Sequence, residues 1–186
     1  GHTSFRPPYT PIAMGLFGGR EVGKHFNPVR RTPLHDWHLA HGAVMVEVGL
    51  WMRARYYPQS GEGIFEAQNR ETRHVREKVG MVDVSTLGKI DIQGSDAAEF
   101  INRVYANGFK TLPVGKARYG LMLREDGFVF DDGTCSRLGD SRYLMTTTTA
   151  NAARVMAHLE FHAQAVWPEL EVFLTSVTDA YAGMAL

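Results

Sequence analysis

Two adjacent carboxylates inside an otherwise apolar stretch are the residues best placed to do chemistry. Asp131 and Asp132 follow Val129-Phe130 and precede Gly133, although aspartate is depleted from strands. Successive side chains of a strand point to opposite faces, so one carboxylate can meet solvent or cap a turn while the other enters a pocket. There, loss of water would suit it to accept a proton. The alternative is a bulge or turn that breaks the strand.

A tyrosine one strand earlier supplies a possible second component of this site. Tyr119 precedes the dipeptide Asp126-Gly127, which is a strong hairpin signal. If the strands pair about that turn, Tyr119 and Asp132 lie near opposite ends of neighbouring strands. An aromatic face and a carboxylate suit a planar, nitrogen-rich ligand, because they offer a stacking surface and an acceptor for N–H groups. Alternatively, Tyr119 is a strand aromatic in the core.

The histidines raise the question of a metal site. His35, His38 and His41 are three residues apart, and His158 and His162 are four apart on a predicted helix. The second pair lacks the His-Glu-x-x-His arrangement of zinc enzymes. We predict no metal site and interpret these residues as surface histidines.

Composition excludes several classes of function. The 186 residues carry 20 basic and 20 acidic side chains, so there is no general attraction for nucleic acid or an anionic membrane. No apolar run reaches the roughly 18 residues of a membrane span. The single cysteine, Cys135, excludes an internal disulfide, favours the cytoplasm as compartment and is interpreted as a small buried apolar residue. No glycine-rich loop matches a dinucleotide or phosphate motif.

Both helices and strands are predicted to position these residues. Helices and strands are interleaved and the hairpins are antiparallel, which predicts an α+β fold with a mixed or antiparallel sheet and packed helices. We expect residues 43–57 to form a strand that is either continuous or broken at Gly49, and residues 62–79 to form a helix ended by Gly80. Ser95 is predicted to cap a helix. The remaining predicted elements are strands at 81–93, 116–124, 128–138, 142–147, 170–177 and 180–186 and a helix at 150–164.

The two ends of the chain differ from the middle. Residues 1–33 contain five of the eight prolines, so we predict no regular element there. Their apolar side chains indicate an arm or inter-domain linker that docks on its own domain or on a larger assembly, ahead of a domain at 34–186. We interpret Gly1-His2 as a cloning remnant. The strand-like ending at 181–186 lacks a polar tail, so we expect a piece of a longer protein.

Several separated motifs resemble one family in order and register. From residue 31 onward, the chain is similar to the N-terminal half of the glycine cleavage system aminomethyltransferases. The motifs are Arg31-Thr32-Pro33-Leu34, Val79-Gly80-Met81-Val82-Asp83-Val84-Ser85, Leu87-Gly88-Lys89, Asn107-Gly108-Phe109, Leu112 to Tyr119 and Asp126 to Asp132. The resemblance implies a folate-binding domain with ferredoxin-like halves, present here as a truncated part.

A narrower resemblance comes from the arm and from Asp131-Asp132-Gly133-Thr134. The run 5–11 ahead of 31–37 resembles the α subunits of heterotetrameric sarcosine oxidases, in which such an arm joins a dinucleotide-binding region to the folate-binding region. Aminomethyltransferases usually show a second glycine where Phe128 stands and a leucine where Gly133 stands.

This resemblance implies a concrete activity. Sarcosine is demethylated oxidatively at a flavin, and its one-carbon unit passes to tetrahydrofolate, giving glycine, hydrogen peroxide and 5,10-methylenetetrahydrofolate. FAD, FMN and NAD belong to the full complex with the other subunits. Asp132 would contact the reactive nitrogens of folate, Tyr119 would line the same pocket, and Asp131 would support them. A stand-alone aminomethyltransferase, another folate-dependent demethylase and a non-catalytic folate-binding module remain alternatives. We expect little activity from the isolated chain.

Overall fold

The computed structural model describes residues 29–186. Its elements in chain order are β1 (Arg30–Arg31), α1 (His35–Ala40), β2 (Val44–Val48), β3 (Trp51–Tyr56), α2 (Ile64–Glu77), β4 (Val82–Asp83), β5 (Gly88–Gln93), α3 (Ala97–Val104), β6 (Ala117–Leu123), β7 (Val129–Gly139), β8 (Arg142–Thr147), α4 (Ala152–Phe161) with a π-helical turn (His162–Val166), β9 (Phe173–Ser176) and β10 (Met184–Ala185). None of the helices in this part of the chain combines the length and apolar character needed to cross a membrane.

A five-stranded antiparallel sheet carries the predicted site. Its strand order is β6-β7-β8-β5-β9. Strands β6 and β7 form the expected hairpin, and Gly127 in its turn has a φ of 82°, a left-handed value that glycine adopts without strain. The hairpin therefore brings the Tyr119 and Asp132 strands side by side.

One face of this sheet packs against helices to form the core. Alternate residues of β5, β7 and β8 point inward, including Ile90, Ile92, Cys135, Tyr143 and Met145. Helix α3 contributes Phe100 and Ile101, and α4 contributes Val155 and Leu159, all fully buried. Apolar burial of this kind is the main source of folding free energy. The opposite face, where alternate side chains include Tyr119 and Thr134, is more exposed.

A smaller sheet lies beside the first. Its order is β1-β3-β2, with β2 and β3 joined at Gly49, whose φ is 59°. Strands β4 and β10 form a separate antiparallel ribbon. The buried side chain of Lys89 donates from Nζ to the carbonyls of Ser85 and Leu87 at 2.9 and 3.1 Å, which fixes the connection between β4 and β5.

The α+β prediction is confirmed, and several boundaries are corrected. The break at Gly49 is found, but the predicted strand 81–93 is two strands, β4 and β5. Helix α2 ends at Glu77 with Lys78 as its C-cap residue, so the prediction for Gly80 is wrong. Ser95 does not cap α3, because Asp96 occupies the cap position and the Ser95 hydroxyl donates to Glu171.

Two further differences concern the ends of the chain. Arg30–Arg31 pairs in parallel with Trp51 and Met52 of β3, so the prediction of no regular element is wrong for these two residues. The rest of the predicted arm, residues 1–28, lies outside the described residues. At the other end, β9 and β10 are shorter than the predicted strands 170–177 and 180–186.

Candidate functional site

Tyr119 and Asp132 are joined directly across the β6–β7 hairpin. Tyr119 lies opposite Thr134 and Asp132 lies opposite Leu121, so the two side chains are diagonal neighbours on the same face of the sheet. The tyrosine hydroxyl donates to Asp132 Oδ2 at 2.8 Å. The pKa of Tyr119 is raised, first by this hydrogen bond and then by loss of water and the carboxylate charge. The pair thus holds a phenol and a carboxylate in a fixed relation.

The aromatic ring of Tyr119 is available for contact. This residue is 55% exposed, so the alternative that it is a core aromatic is wrong. Its ring and the partly exposed Asp132 belong to the sheet face opposite the helices. The hairpin also keeps Asp131 and Asp132 paired in register, with the register shift falling beyond them, between Met122 and Leu123. The alternative that these carboxylates break the strand is therefore wrong.

Asp131 points to the other face, as the strand period predicts, and is only 4% exposed. Its carboxylate accepts from the backbone N–H of Thr148 at 3.1 Å and from the Thr148 hydroxyl at 2.6 Å. Asn151 Nδ2 donates to it at 3.3 Å and to the Phe130 carbonyl at 2.7 Å. Asp131 therefore anchors the turn between β8 and α4 to the strand that carries Asp132.

Two glycines allow the backbone to pass close to its neighbours at this point. A Cβ at Gly133 would lie 2.0 Å from the carbonyl oxygen of Thr146, and a Cβ at Gly120 would lie 2.7 Å from the Tyr105 ring. Gly120 and Gly133 pair with each other. A leucine at position 133 would therefore not fit this arrangement of β7 and β8.

Sequence reasoning did not identify the threonines and Asn151 that surround the carboxylates. Thr146 Oγ1 accepts from the backbone N–H of Thr134 at 2.9 Å, and the two hydroxyls lie 3.0 Å apart. The run 146–149 consists of four threonines before Ala150-Asn151. This polar cluster at the end of a predicted strand is the sequence feature that could have identified these residues as part of the site.

Of the histidines predicted to lie at the surface, His41 is exposed, as predicted, whereas two others are buried. His35 and His38 are buried at 6% and 5% exposure, so their interpretation as surface residues is wrong. The rings of His158 and His162 lie 4.2 Å apart, and the pKa of His158 is lowered by burial and then by His162. Within residues 29–186, no group of three or more His, Cys, Asp or Glu side chains is arranged to hold a metal ion.

Cys135 is fully buried, as predicted. Burial raises the pKa of its thiol to about 12. Since the thiolate is the nucleophilic form, Cys135 is a packing residue of the core.

Comparison with known proteins identifies the family of the domain that contains this hairpin. The pattern of the GCVT N-terminal domain matches residues 34–186. The chain belongs to this family. A solved GCVT-type structure, the glycine cleavage system aminomethyltransferase T from Bartonella henselae, superposes with a TM-score of 0.69 at 25% identity, covering 80% of this chain and 38% of that one.

The GCVT domain described here has full-length similarity to larger proteins. It is 61% identical over its whole length to the sarcosine oxidase subunit alpha of Rhizobium meliloti (strain 1021), and 54% identical to that of Corynebacterium sp. (strain P-1). The chain spans 19% of the length of these relatives. Against the aminomethyltransferase of Thermotoga neapolitana it is 35% identical, covering 84% of this chain and 40% of the relative. Both resemblances predicted from the motifs are confirmed.

Proposed function

We propose that this chain is the folate-binding part of a sarcosine oxidase α subunit. In the complete enzyme, sarcosine, O2 and tetrahydrofolate would give glycine, hydrogen peroxide and 5,10-methylenetetrahydrofolate. Water would replace folate when none is bound, and formaldehyde would then be released. We expect the other subunits to be obligatory partners and the isolated chain to be catalytically inactive. A single buried cysteine is compatible with a reducing compartment, and we propose the cytoplasm.

The observation that carries this proposal is the hydrogen bond between Tyr119 and Asp132. It holds an exposed aromatic ring and a carboxylate on one face of a sheet, in a chain whose family includes aminomethyltransferases. A reduced pterin is planar and has several N–H groups. The ring of Tyr119 supplies a surface for stacking, and Asp132 supplies an acceptor.

Each residue of the site would have a separate part in the transfer. Asp132 would accept a hydrogen bond from an N–H group of tetrahydrofolate. It would then take up the proton that this nitrogen releases when it bonds to the one-carbon unit. Tyr119 would donate to Oδ2 and so fix which oxygen faces the ligand. Asp131 would contact Thr148 and Asn151 rather than folate, and would act as a positioning residue.

The redox cofactors are assigned to other parts of the enzyme. The flavins, FAD and FMN, would supply the two-electron oxidation of the amine, and NAD would bind upstream of this chain. The glycines of residues 29–186 serve turns and close strand contacts, which favours a dinucleotide site elsewhere in the complete enzyme. We assign to this chain the binding of the one-carbon acceptor.

Coverage favours the oxidase over the aminomethyltransferase alternative. The α-subunit relatives align with all of this chain, including residues 1–28, whereas the aminomethyltransferases align with about 84% of it. The same domain within a different demethylase, or without activity, would retain the hairpin and lose sarcosine turnover.

The test is Asp132→Asn in the complete oxidase. Sarcosine-dependent consumption of O2 should persist, because the oxidation occurs elsewhere. Formation of 5,10-methylenetetrahydrofolate should fall by about 10²-fold or more, in line with loss of a general base, and formaldehyde should rise in compensation.

A matched control is Asp126→Asn in the exposed hairpin turn, which should leave both products unchanged. If Asp132→Asn retains normal folate capture, Asp132 has no part in the transfer. If the parental complex does not oxidise sarcosine at all, the oxidase assignment itself is wrong.

A further inference from the structure

An asparagine followed by a glycine lies at the outer edge of the hairpin that carries Tyr119. Asn107 and Gly108 are both exposed, and they form the only Asn-Gly pair in the sequence. An asparagine side chain reacts most readily with the backbone when glycine follows it, because glycine has no side chain beside the attacking nitrogen. The contacts of these two residues decide whether the fold prevents this reaction.

The side-chain carbonyl of Asn107 is polarised by the hairpin. Its Oδ1 accepts from the backbone N–H of Leu121 in β6 at 2.8 Å. When a nucleophile adds to the amide carbon, negative charge develops on this oxygen, and a fixed N–H donor stabilises that charge as in an oxyanion hole. The hydrogen bond therefore favours attack on the Asn107 amide.

The backbone nitrogen of Gly108 is available as the nucleophile. Within residues 29–186, its N–H donates to no backbone carbonyl, so no such bond has to break before the proton is lost. Arg118 Nη1 donates to the Gly108 carbonyl, and a positive charge nearby favours the anionic form of a group. A Cβ at position 108 would meet only Asn102 Oδ1, at 3.9 Å, so the glycine lies in open space.

A second asparagine has the same kind of carbonyl contact but lacks the nucleophile. Asn102 Oδ1 accepts from the Phe109 N–H at 2.9 Å. The nitrogen that follows it in the chain, that of Arg103, lies within helix α3, where backbone N–H groups are hydrogen-bonded. Asn102 is therefore an internal control for the reactivity of Asn107.

We propose that Asn107 deamidates spontaneously in the folded protein. The Gly108 nitrogen loses its proton to water and bonds to Asn107 Cγ, the Cγ–Nδ2 bond breaks, and Nδ2 leaves as ammonia after protonation. The product is a five-membered succinimide. Water then opens this ring at either carbonyl carbon, which gives aspartate or an isoaspartate whose main chain continues through Cγ. The sum consumes one water and releases one ammonia, with no change of oxidation state.

This modification changes the edge of the proposed folate site. The Ala106 N–H donates to the Leu121 carbonyl at 2.9 Å, and Asn107 Oδ1 accepts from the Leu121 N–H. Leu121 in turn lies opposite Asp132 in the hairpin. Isoaspartate inserts a methylene group into the backbone beside these two bonds and adds a negative charge. Modified molecules therefore capture folate less well, a consequence that rests on the proposed function.

The experiment follows Asn107 in the complete oxidase during storage in a mildly alkaline buffer. Trypsin releases residues 104–110, in which Asn107 is the only asparagine, and residues 90–103, which contain Asn102. A gain of one mass unit, with separate chromatographic peaks for aspartate and isoaspartate, is expected in the first peptide and not in the second. Digestion in heavy-oxygen water distinguishes modification during storage from modification during digestion.

Two variants test the proposed contacts. Gly108→Ala fits the open space at this position and should slow the reaction roughly tenfold or more, because its methyl group hinders approach of the nitrogen. Arg118→Gln removes the charge beside Gly108 and should slow the reaction roughly twofold or more. Arg124→Gln in the exposed hairpin turn is the control and should react at the parental rate.

Folate capture provides the functional readout. After identical storage, the parent should lose formation of 5,10-methylenetetrahydrofolate in proportion to its isoaspartate fraction, whereas Gly108→Ala should retain it. Sarcosine oxidation should persist in both proteins. An equal loss of capture in Gly108→Ala would overturn the effect on the folate site. A parent that never captures folate would refute the proposed function, whereas peptide mapping would still test the modification.

Three results of the mapping would overturn the proposal. Asn107 could stay unmodified in the folded protein while it reacts in the urea-unfolded chain. Asn102 could react as fast as Asn107. Gly108→Ala could react at the parental rate, which would show that the backbone nitrogen of residue 108 is not the nucleophile.

Discussion

Gly120 and Gly133 lie directly opposite each other in β6 and β7, between the strand positions of Tyr119 and Asp132. The absence of two side chains lets Gly133 approach the Thr146 carbonyl and lets the rings of Tyr105 and Phe109 pack over Gly120. The functional pair is therefore carried by a hairpin whose opposite face is packed without room for a methyl group.

Alanine at either glycine should destabilise the fold to different degrees. At Gly133 the new Cβ would meet backbone at 2.0 Å, and at Gly120 it would meet the ring of the Tyr105 side chain, rather than backbone, at 2.7 Å. We expect Gly133→Ala to cost about 3 kcal/mol and Gly120→Ala about 1 kcal/mol, measured by urea denaturation. Gly139→Ala is the control, since its nearest atom is 3.9 Å away. Equal effects of all three changes would contradict this account.

Replacing Asp131 should lower the free energy of unfolding, and any effect on folate binding should follow from that loss of stability. Asp131→Ala leaves the donors of Thr148 and Asn151 without their buried acceptor, a loss of about 3 kcal/mol. Asp131→Asn should cost less, because its amide oxygen can still accept. Urea denaturation measures both values, and Glu125→Ala in the exposed turn should have no effect. If Asp131→Ala is fully stable but unable to bind folate, the positioning role is wrong.

Tyr119→Phe separates the ring from its hydroxyl. The phenyl ring retains the stacking surface, and Asp132 loses the donor 2.8 Å away. We expect folate affinity in the complete oxidase to fall roughly three- to tenfold, with sarcosine oxidation unchanged. Tyr119→Ala should weaken binding further. Folate titration followed by calorimetry measures these affinities, and identical values for the Phe and Ala variants would show that the ring makes no contact.

The buried Asp83 predicts a pH dependence of stability. Burial alone would raise the pKa of this carboxyl group, but hydrogen bonds from Ser85 and His38 outweigh it and lower the pKa. A group whose pKa is lower in the folded state stabilises the fold above its unfolded pKa of about 3.9. That contribution is lost as the pH falls through the folded value.

Asp83→Asn should therefore reduce the free energy of unfolding at neutral pH and flatten its decline below about pH 4. Urea titrations at a series of pH values test this change. Asp126→Asn is a demanding control, because Asp126 also has a lowered pKa, caused first by Arg124, but is exposed. Its effect should be smaller and should shrink in salt. Parallel pH curves for Asp83→Asn and the parent would refute the prediction.

The parts of the site that the sequence predicted are those governed by local rules. The Asp126-Gly127 turn fixed the hairpin, and the strand period placed Asp131 and Asp132 on opposite faces. The diagonal contact of Tyr119 with Asp132 depends on the register, which the turn and the shift between Met122 and Leu123 set together. This shift has no clear signature in the residues.

Long-range contacts account for most of what was missed. His38 is separated from Asp83 by 45 residues, and no sequence pattern in either segment predicts that the two side chains are in contact. The short helix α1 has no side-chain cap and lies between two proline- and glycine-containing segments, so its signal was weak. Gly80 has the residue type that favours a C-cap, but α2 ends three residues earlier.

The burial of Cys135 has a practical consequence for chemical labelling. Because the only native thiol is buried in the core and kept protonated, the folded parent chain should not react with a maleimide reagent. A cysteine introduced at the exposed Thr134, next to the proposed ligand face, would then be the sole reactive position. A fluorophore attached there could report occupancy of that face without removal of any natural residue from the core.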